Sequence, residues 1–226
     1  NVTPWIVTSG RDKKQWILER NPYSIWVDTE GNQLPYIDKI VMDLAENLEM
    51  LNMRAIAGEL DFQARHISLS KLPVLIQNQQ KGGYKVHLDI GQYGADCVIW
   101  VNLWYEKDPV IGKLLANADF RRAMSLGIDR NQLNETFWLG TGTPGSVAPA
   151  ETNKYSPGPE YRTMWATYDP KKANELLDKI GLTKRDAQGF RVRTDNGERL
   201  RLQVIAVQAF LPWPKIAEMV ADQWAK

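Results

Sequence analysis

Cysteine and histidine, which build disulfides and most metal sites, are nearly absent from this chain. Its 226 residues include one cysteine, Cys97, and two histidines, His66 and His87. One cysteine excludes an intrachain disulfide framework and a zinc site built on several thiolates, and the histidines lack His-Glu-x-x-His spacing. We therefore expect no metal and no cofactor. Because Cys97 lies in an apolar run, we expect a packed core residue whose thiol pKa is raised by burial.

The chain also lacks an excess of charge of one sign and any long apolar run. Its 28 Lys and Arg residues balance 27 Asp and Glu residues, for a formal net charge of +1. Without a broad basic surface, we expect no nucleic acid as a partner. No stretch approaches the ~18 apolar residues that a membrane-spanning helix needs. With 43% apolar and 24% charged residues, the composition is that of an ordinary globular protein.

Motifs that carry covalent catalysis or phosphate binding are missing as well. There is no Gly-x-Ser-x-Gly elbow, and the Gly-rich segment 140–145 lacks the Lys-Ser/Thr pair that completes a phosphate-binding loop. Glu59 and Asp61 would lie about 7 Å apart on one face of a strand, between the separations of retaining and inverting glycosidases. We interpret them as surface acids, and we expect no enzymatic activity.

Hydrophobic periodicity predicts a mixed α/β protein with interleaved strands and helices. Alternation or short apolar runs predict strands at residues 16–20, 37–43, 59–62, 84–90 and 96–103. Helical spacing, with Asn, Asp, Pro or Gly at the ends, predicts helices at residues 47–57, 68–80, 117–128, 133–139, 170–180 and 214–224. Asn196-Gly197 predicts a type I′ turn between strands at 190–193 and 200–207. The Gly/Pro-rich residues 140–162 predict a long connection, which tends to be functional.

Tryptophan, in contrast, is abundant, with nine residues spread over the chain. The positions of Trp16 on a strand and Trp224 on a helix predict core residues. Trp104, Trp138 and Trp213 fall at element ends or in loops, where large rigid side chains commonly line a ligand cleft. The sequence therefore predicts a core set and a cleft-edge set of tryptophans.

The two ends of the sequence look interrupted. Residues 1–5 show neither an initiator Met nor the basic and apolar pattern of a secretion signal. The helix predicted at 214–224 reaches the last residues without a capping residue or a polar tail. We interpret the sequence as a piece of a longer protein.

Six segments, in order, resemble the extracytoplasmic solute-binding proteins of ABC importers, family 5, the oligopeptide, dipeptide and nickel class. They are ERNPY at 19–23, DTEGNQLPYID at 28–38, GELD at 58–61, FRRAMSLGIDR at 120–130, GTGTP at 140–144 and YDPKKANELLDKIG at 168–181. Each motif alone is modest, but six in order cover essentially the whole chain. The sequence therefore resembles this family as a whole.

The resemblance implies a two-lobed periplasmic-binding-protein-like fold, class II or cluster C, with mixed sheets flanked by helices. Residues 1–100 would be the second segment of lobe I and residues 101–226 the first half of lobe II, with the hinge near 100–102. The family also implies a periplasmic or extracytoplasmic location, with a lipoprotein anchor as one variant. Its partners would be a small solute and a membrane permease with its ATPase, and the protein would be a monomer.

The resemblance also points by position to six ligand-binding residues: Asn102, Trp104, Trp138, Thr141, Gln208 and Trp213. Stacking on tryptophan suits sugar rings and apolar peptide side chains equally, so the expected solute is an oligopeptide or an oligosaccharide. Two alternatives remain open at this point. One is a carbohydrate-active hydrolase with aromatic subsites, which needs a carboxylate pair with one perturbed pKa. The other is an interaction domain that exposes its aromatics as an apolar patch.

Overall fold

The computed structural model describes residues 3–10, 12, 14–89, 91, 94–209 and 211–225. The strands are β1 (Trp5–Val7), β2 (Gln15–Arg20) and β3 (Lys39–Asp43). A 3-10 helix lies at Leu69–Lys71, and the α-helices are α1 (Leu48–Ala57), α2 (Leu72–Gly82), α3 (Pro109–Ala116), α4 (Ala118–Leu126), α5 (Arg130–Trp138), α6 (Pro159–Thr163), α7 (Pro170–Lys179) and α8 (Trp213–Trp224). The chain forms two compact units, Asn1–Ile67 with Gln80–Tyr84, and Ser68–Gln79 with Lys85–Lys226.

The first unit contains an antiparallel sheet in the order β1-β2-β3. The strands predicted at 16–20 and 37–43 are confirmed, although the second begins at Lys39. The core position predicted for Trp16 is wrong. Trp16 lies opposite Met42 in the sheet, and the two side chains are 37% and 47% exposed, so this face of the sheet is open.

Local sequence sets both ends of α1. The Asn47 side chain accepts a hydrogen bond from a first-turn backbone N–H at 2.8 Å, and Gly58 ends the helix in the left-handed conformation at φ 77°. A Cβ on Gly58 would lie 2.1 Å from the carbonyl oxygen of Gly82, so these glycines let the ends of α1 and α2 meet. The helices predicted at 47–57 and 68–80 are confirmed, the second as a 3-10 turn followed by α2.

The second unit is helical, and its main contact is between α4 and α7. Phe120, Ala123 and Leu126 of α4 are each 2% exposed, and Ala173 of α7 is 6% exposed. Helix α7 begins as predicted, with the Asp169 side chain accepting a backbone N–H at 2.9 Å. Burial of the large apolar side chains contributes about 1.5–3 kcal/mol each to this core.

A second core cluster joins α5 to α8. Leu133, Ile216 and Val220 are buried together, and Trp224 packs against them. The indole N–H of Trp224 donates to the Met124 carbonyl at 2.9 Å, so its predicted core role is confirmed. None of the helices in the described part of the chain is long and apolar enough to span a bilayer.

Helix α3 was not predicted, although its start carries a clear signal. The Asp108 carboxylate accepts backbone N–H groups at 3.0 and 3.1 Å, and Pro109 occupies the first turn. The Asp-Pro pair is the same start signal that led to α7. The helix predicted at 117–128 is confirmed as α4, with Asn117 as its cap.

Several predicted strands are wrong. Residues 59–62, 96–103 and 200–207 and the described part of 84–90 form no strand. Alternation places side chains on two faces, but a strand also needs a neighbouring strand that forms a ladder of hydrogen bonds with it, and within the described residues no such ladder includes these segments.

The predicted hairpin at 190–207 is wrong in its turn and in its length. The Arg193 N–H donates to the Glu198 carbonyl at 2.7 Å, which closes a four-residue loop, and Gly197 has φ 72° while Asn196 is not in the left-handed region. A type I′ turn requires positive φ at both central residues. Only single bridges form nearby, such as Val192 to Arg199.

Candidate functional site

Trp138 and Thr141, two of the six predicted ligand-binding residues, lie together at the end of α5. Asp129 begins this helix by accepting two backbone N–H groups at 3.1 and 3.0 Å. Leu139 ends it in the left-handed conformation at φ 54°. The chain then turns so that the Thr141 hydroxyl donates to the Trp138 carbonyl at 2.6 Å. The hydroxyl is thereby oriented, and its oxygen retains acceptor capacity.

The next residues are held by a pair of hydrogen bonds that the sequence did not predict. The Asn134 side chain donates to the Gly142 carbonyl at 3.0 Å, and the Gly142 N–H donates to the same side chain at 2.9 Å. Both polar atoms of one amide are thus paired with one backbone residue. The start of the Gly/Pro-rich connection is therefore fixed to α5.

Trp138 and Trp213 pack against the same core cluster. Both are partly buried against Leu133, Ile216 and Val220. The ring of Trp138 also meets Phe137 edge-on, with ring centroids 6.3 Å apart. The indole Nε1 of Trp213 is buried, and the described residues provide it no hydrogen-bond partner. These tryptophans therefore combine a packing role with a position at the edge of the cluster.

Asn102 and Trp104 form a separate, open part of the predicted site. The Trp104 N–H donates to the Asn102 side-chain oxygen at 3.0 Å, a local turn that Asn favours. The Trp104 side chain is 84% exposed, and Trp100 is 87% exposed. Exposed indole faces can stack on apolar faces of a ligand. Trp100 was not among the predicted residues, although it lies in the same segment.

Gln208 is exposed and lies in the stretch without regular secondary structure that precedes α8. The structure thus brings Trp138 and Thr141 into direct contact and places Trp213 on the same cluster as Trp138. It shows no hydrogen bond within the described residues that joins Gln208, Asn102 or Trp104 to those three. Their common role as a ligand site stays a prediction.

Asp108, four positions after Trp104, has a charged partner. Asp108 accepts hydrogen bonds from Arg193, and this is the main reason that the pKa of the Asp108 carboxyl lies below its usual value. Arg193 also binds Asp195 at 2.8 and 2.9 Å and lowers the pKa of that carboxyl to about 2. One guanidinium is thus shared by two carboxylates, which leaves this cluster with one negative charge in excess.

Cys97 and Glu59, two residues weighed earlier, have structural partners. Cys97 is partly buried against the cluster of Leu133, Ile216 and Val220, and burial raises the pKa of its thiol, as predicted. Glu59 accepts a hydrogen bond from Arg54 at 2.9 Å. Within the described ranges, no group of three His, Cys, Asp or Glu side chains could hold a metal ion.

A shallow groove of about 460 Å³ lies between α5 and α8. Its lining includes Gln132, Phe137, Lys215 and Met219. None of the six predicted residues lines it, so the groove and the predicted site are different places.

Comparisons with known proteins identify relatives along nearly the whole chain. Residues 3–226 match the sequence model of bacterial extracellular solute-binding proteins, family 5, middle region. A periplasmic alpha-galactoside-binding protein of Rhizobium meliloti is 28% identical over 204 residues, which are 82% of this chain and 27% of the relative. A dipeptide-binding protein of Lactococcus lactis is 30% identical over 141 residues, which are 56% of this chain and 23% of the relative.

Solved structures show the same fold. An oligopeptide-binding protein OppA has a TM-score of 0.71 at 35% identity, over 99% of this chain and 35% of that one. The periplasmic binding protein MelB of Agrobacterium fabrum, solved with stachyose, has a TM-score of 0.66 at 22% identity, over 99% of this chain and 34% of that one. The chain thus spans about a third of these structures. The predicted α/β fold class and its relation to two-lobed periplasmic binding proteins are confirmed.

Proposed function

The chain belongs to the bacterial extracellular solute-binding proteins of family 5, and from this premise we propose that it is part of the solute-capturing component of an ABC importer. The solute is bound, not transformed, and is delivered to a membrane permease that works with an ATPase. The observation that carries the proposal is the family match over residues 3–226. The relatives reported above are binding proteins, which gives the hydrolase alternative no support.

Two classes of solute fit the relatives. The Rhizobium protein is named for alpha-galactosides, and OppA is named for oligopeptides. The six candidate residues carry indole, amide and hydroxyl groups and no charge. Uncharged or zwitterionic solutes are therefore favoured, as an oligosaccharide or an oligopeptide.

The candidate residues have complementary tasks in this proposal. Trp104, 84% exposed, offers an open stacking face, while Asn102, Thr141 and Gln208 offer hydrogen-bonding groups. Trp213, partly buried against the core cluster, forms the edge of the site. Such an arrangement combines apolar contact area with a few oriented polar groups, as small-molecule sites do.

Capture by closure follows from the two-lobed relatives. We assign residues 1–100 to one lobe and 101–226 to the other, with the hinge near 100–102. A solute that contacts both lobes binds the closed form better than the open form, and it shifts the population toward closure by that difference in affinity. The location is periplasmic or extracytoplasmic, and the working form is a monomer.

Intrinsic tryptophan fluorescence of the gene product that contains this sequence tests the proposal. The protein is titrated separately with raffinose, an alpha-galactoside, and with a pool of tripeptides to pentapeptides. We expect a saturable change with one of the two and a weaker affinity in Trp104→Ala and Trp213→Ala. Trp26→Ala, at another exposed indole (59%), is the matched control. If neither solute changes the fluorescence, the proposed function is wrong.

A further inference from the structure

Arg162 joins two separate segments of the second unit through backbone carbonyls. Its Nη1 donates to Gly94 at 2.8 Å, to Ser146 at 3.0 Å and to Ala148 at 2.6 Å. A guanidinium Nη carries two hydrogens, so three acceptors share them. No carboxylate within the described residues pairs with Arg162, and its hydrogen bonds to those carbonyls are therefore its main role.

The loop at residues 146–148, whose carbonyls accept from Arg162, makes further hydrogen bonds of its own. The Ser146 N–H donates to the Arg162 carbonyl at 2.6 Å, and the Ser146 hydroxyl donates to the Tyr161 carbonyl. The Ala148 N–H donates to the Ser146 hydroxyl oxygen at 3.1 Å. The loop is thus bonded to α6 by its own backbone as well as by the Arg162 side chain.

Gly94 is placed where only glycine fits. A Cβ at this position would lie 1.8 Å from the Val147 carbonyl oxygen and 2.9 Å from that of Ala148, closer than any real contact. The segment that contains Gly94 and the loop therefore touch backbone to backbone. This contact is independent of the hydrogen bonds of Arg162 and joins the same two segments.

Both segments lead to candidate ligand-binding residues. Gly94 precedes Asn102 and Trp104 in one segment, and Ser146 follows Trp138 and Thr141 in the other. The second segment is already fixed to α5 through the Gly142–Asn134 pair. Arg162 therefore bonds the loop that follows Thr141 to the beginning of the segment that continues to Asn102, eight positions after Gly94.

We propose that Arg162 is a positioning residue of the solute-binding site. Its guanidinium holds the segment with Asn102 and Trp104 against the loop with Thr141, so that both meet one solute without first being ordered. The proposal rests on the proposed function. Ordering a loop during binding costs free energy and weakens affinity, and a loop that is already ordered in the free protein avoids that cost.

The test uses Arg162→Gln in the gene product that contains this sequence, with raffinose and the peptide pool as probes. We expect the Kd for the bound probe to rise about tenfold, as expected from losing charge-assisted hydrogen bonds. Hydrogen exchange at the Ser146 and Ala148 amides, measured without solute, should accelerate about tenfold or more. Added guanidinium at millimolar concentration should restore part of the affinity in Arg162→Ala, which a general loss of stability cannot explain.

Arg121→Gln is the matched control, because Arg121 also donates to a carbonyl, Leu115 at 2.8 Å, away from both segments. Gly94→Ala tests the same connection without touching Arg162, and we expect it to weaken binding as well. If the wild type binds a probe and Arg162→Gln binds it equally tightly, this proposal is wrong and the proposed function stands. If the wild type binds neither probe, both are wrong.

Discussion

The Arg193 guanidinium donates from Nη2 to Oδ1 of Asp108 at 3.2 Å across 85 positions of sequence. The same carboxylate accepts the backbone N–H groups of Val110 and Ile111 at 3.0 and 3.1 Å, at the start of α3. One side chain thus caps a helix and anchors the loop that carries Arg193. Because the ionised form makes all of these bonds, its charge state matters to stability.

Asp108→Asn should lower stability at neutral pH and leave it less dependent on pH. In the folded protein the pKa of Asp108 lies below its ordinary value of 3.8, chiefly through Arg193. A lowered folded-state pKa contributes stability that is present above 3.8 and is lost as the pH falls through the folded value. The difference between wild type and Asp108→Asn should therefore narrow below pH 3.8.

Urea unfolding midpoints of both proteins between pH 7 and pH 3 measure this difference. Asparagine keeps the capping ability of the position, so the comparison isolates the charge. Asp61→Asn, at an exposed carboxyl, should follow the wild type at every pH. A gap between wild type and Asp108→Asn that stays constant down to pH 3 contradicts the prediction.

Trp213→Phe should leave stability unchanged or raise it slightly, whereas Trp224→Phe should lower it by about 1 kcal/mol. Both replacements remove the same volume from residues packed on the same cluster. The Trp224 indole loses its bond to the Met124 carbonyl at 2.9 Å, while the buried Trp213 Nε1 has no partner within the described residues to lose. Urea unfolding at pH 7 compares them, and an equal loss in both variants refutes the argument.

Phe120→Ala should destabilise the protein by about 3–5 kcal/mol, because it removes a large side chain from a packed core. Phe120 is 2% exposed. The matched control is Phe62→Ala, since Phe62 is 88% exposed and its replacement should change stability by less than about 0.5 kcal/mol. Differential scanning calorimetry gives both values, and similar melting temperatures for the two variants contradict the assigned core.

Helix ends could be predicted because their signals are local. Asn47 and Asp169 each accept a backbone N–H three residues ahead, at 2.8 and 2.9 Å, and nothing beyond that turn is needed. Asp108-Pro109 carries the same signal, so α3 was readable from the sequence. The turn at Thr141, next to its helix, is likewise a local feature.

Strand pairing and exposure could not be predicted, because both depend on residues elsewhere. The apolar run that includes Ile99 indicated a central strand, yet Ile99 is 40% exposed and unpaired within the described chain. Trp16 fits the alternating pattern of β2, but the face of the sheet on which it lies is open. Arg162 was missed for a related reason. Its partners are backbone carbonyls, one of them 68 positions away, and every residue type has a carbonyl.

The last prediction concerns Arg130, whose guanidinium donates hydrogen bonds to backbone carbonyls in the second unit. It donates to the Ser125 carbonyl at 2.9 Å and the Ala166 carbonyl at 3.2 Å, and to the Ser125 hydroxyl at 2.8 Å. The hydroxyl in turn donates to the Trp165 carbonyl at 2.6 Å. Burial lowers the pKa of Arg130 below its usual value, but an arginine side chain stays charged at neutral pH.

Arg130→Gln should therefore cost about 2 kcal/mol, since a shorter neutral side chain leaves the part-buried carbonyls without a charged donor. Arg185→Gln is the control. Arg185 also donates to a carbonyl, Gly189 at 2.6 Å, but on the surface, where such bonds contribute ~0–1 kcal/mol. Urea unfolding at pH 7 measures both. If the two variants lose the same stability, the buried network of Arg130 does not stabilise the junction of α4 with α5.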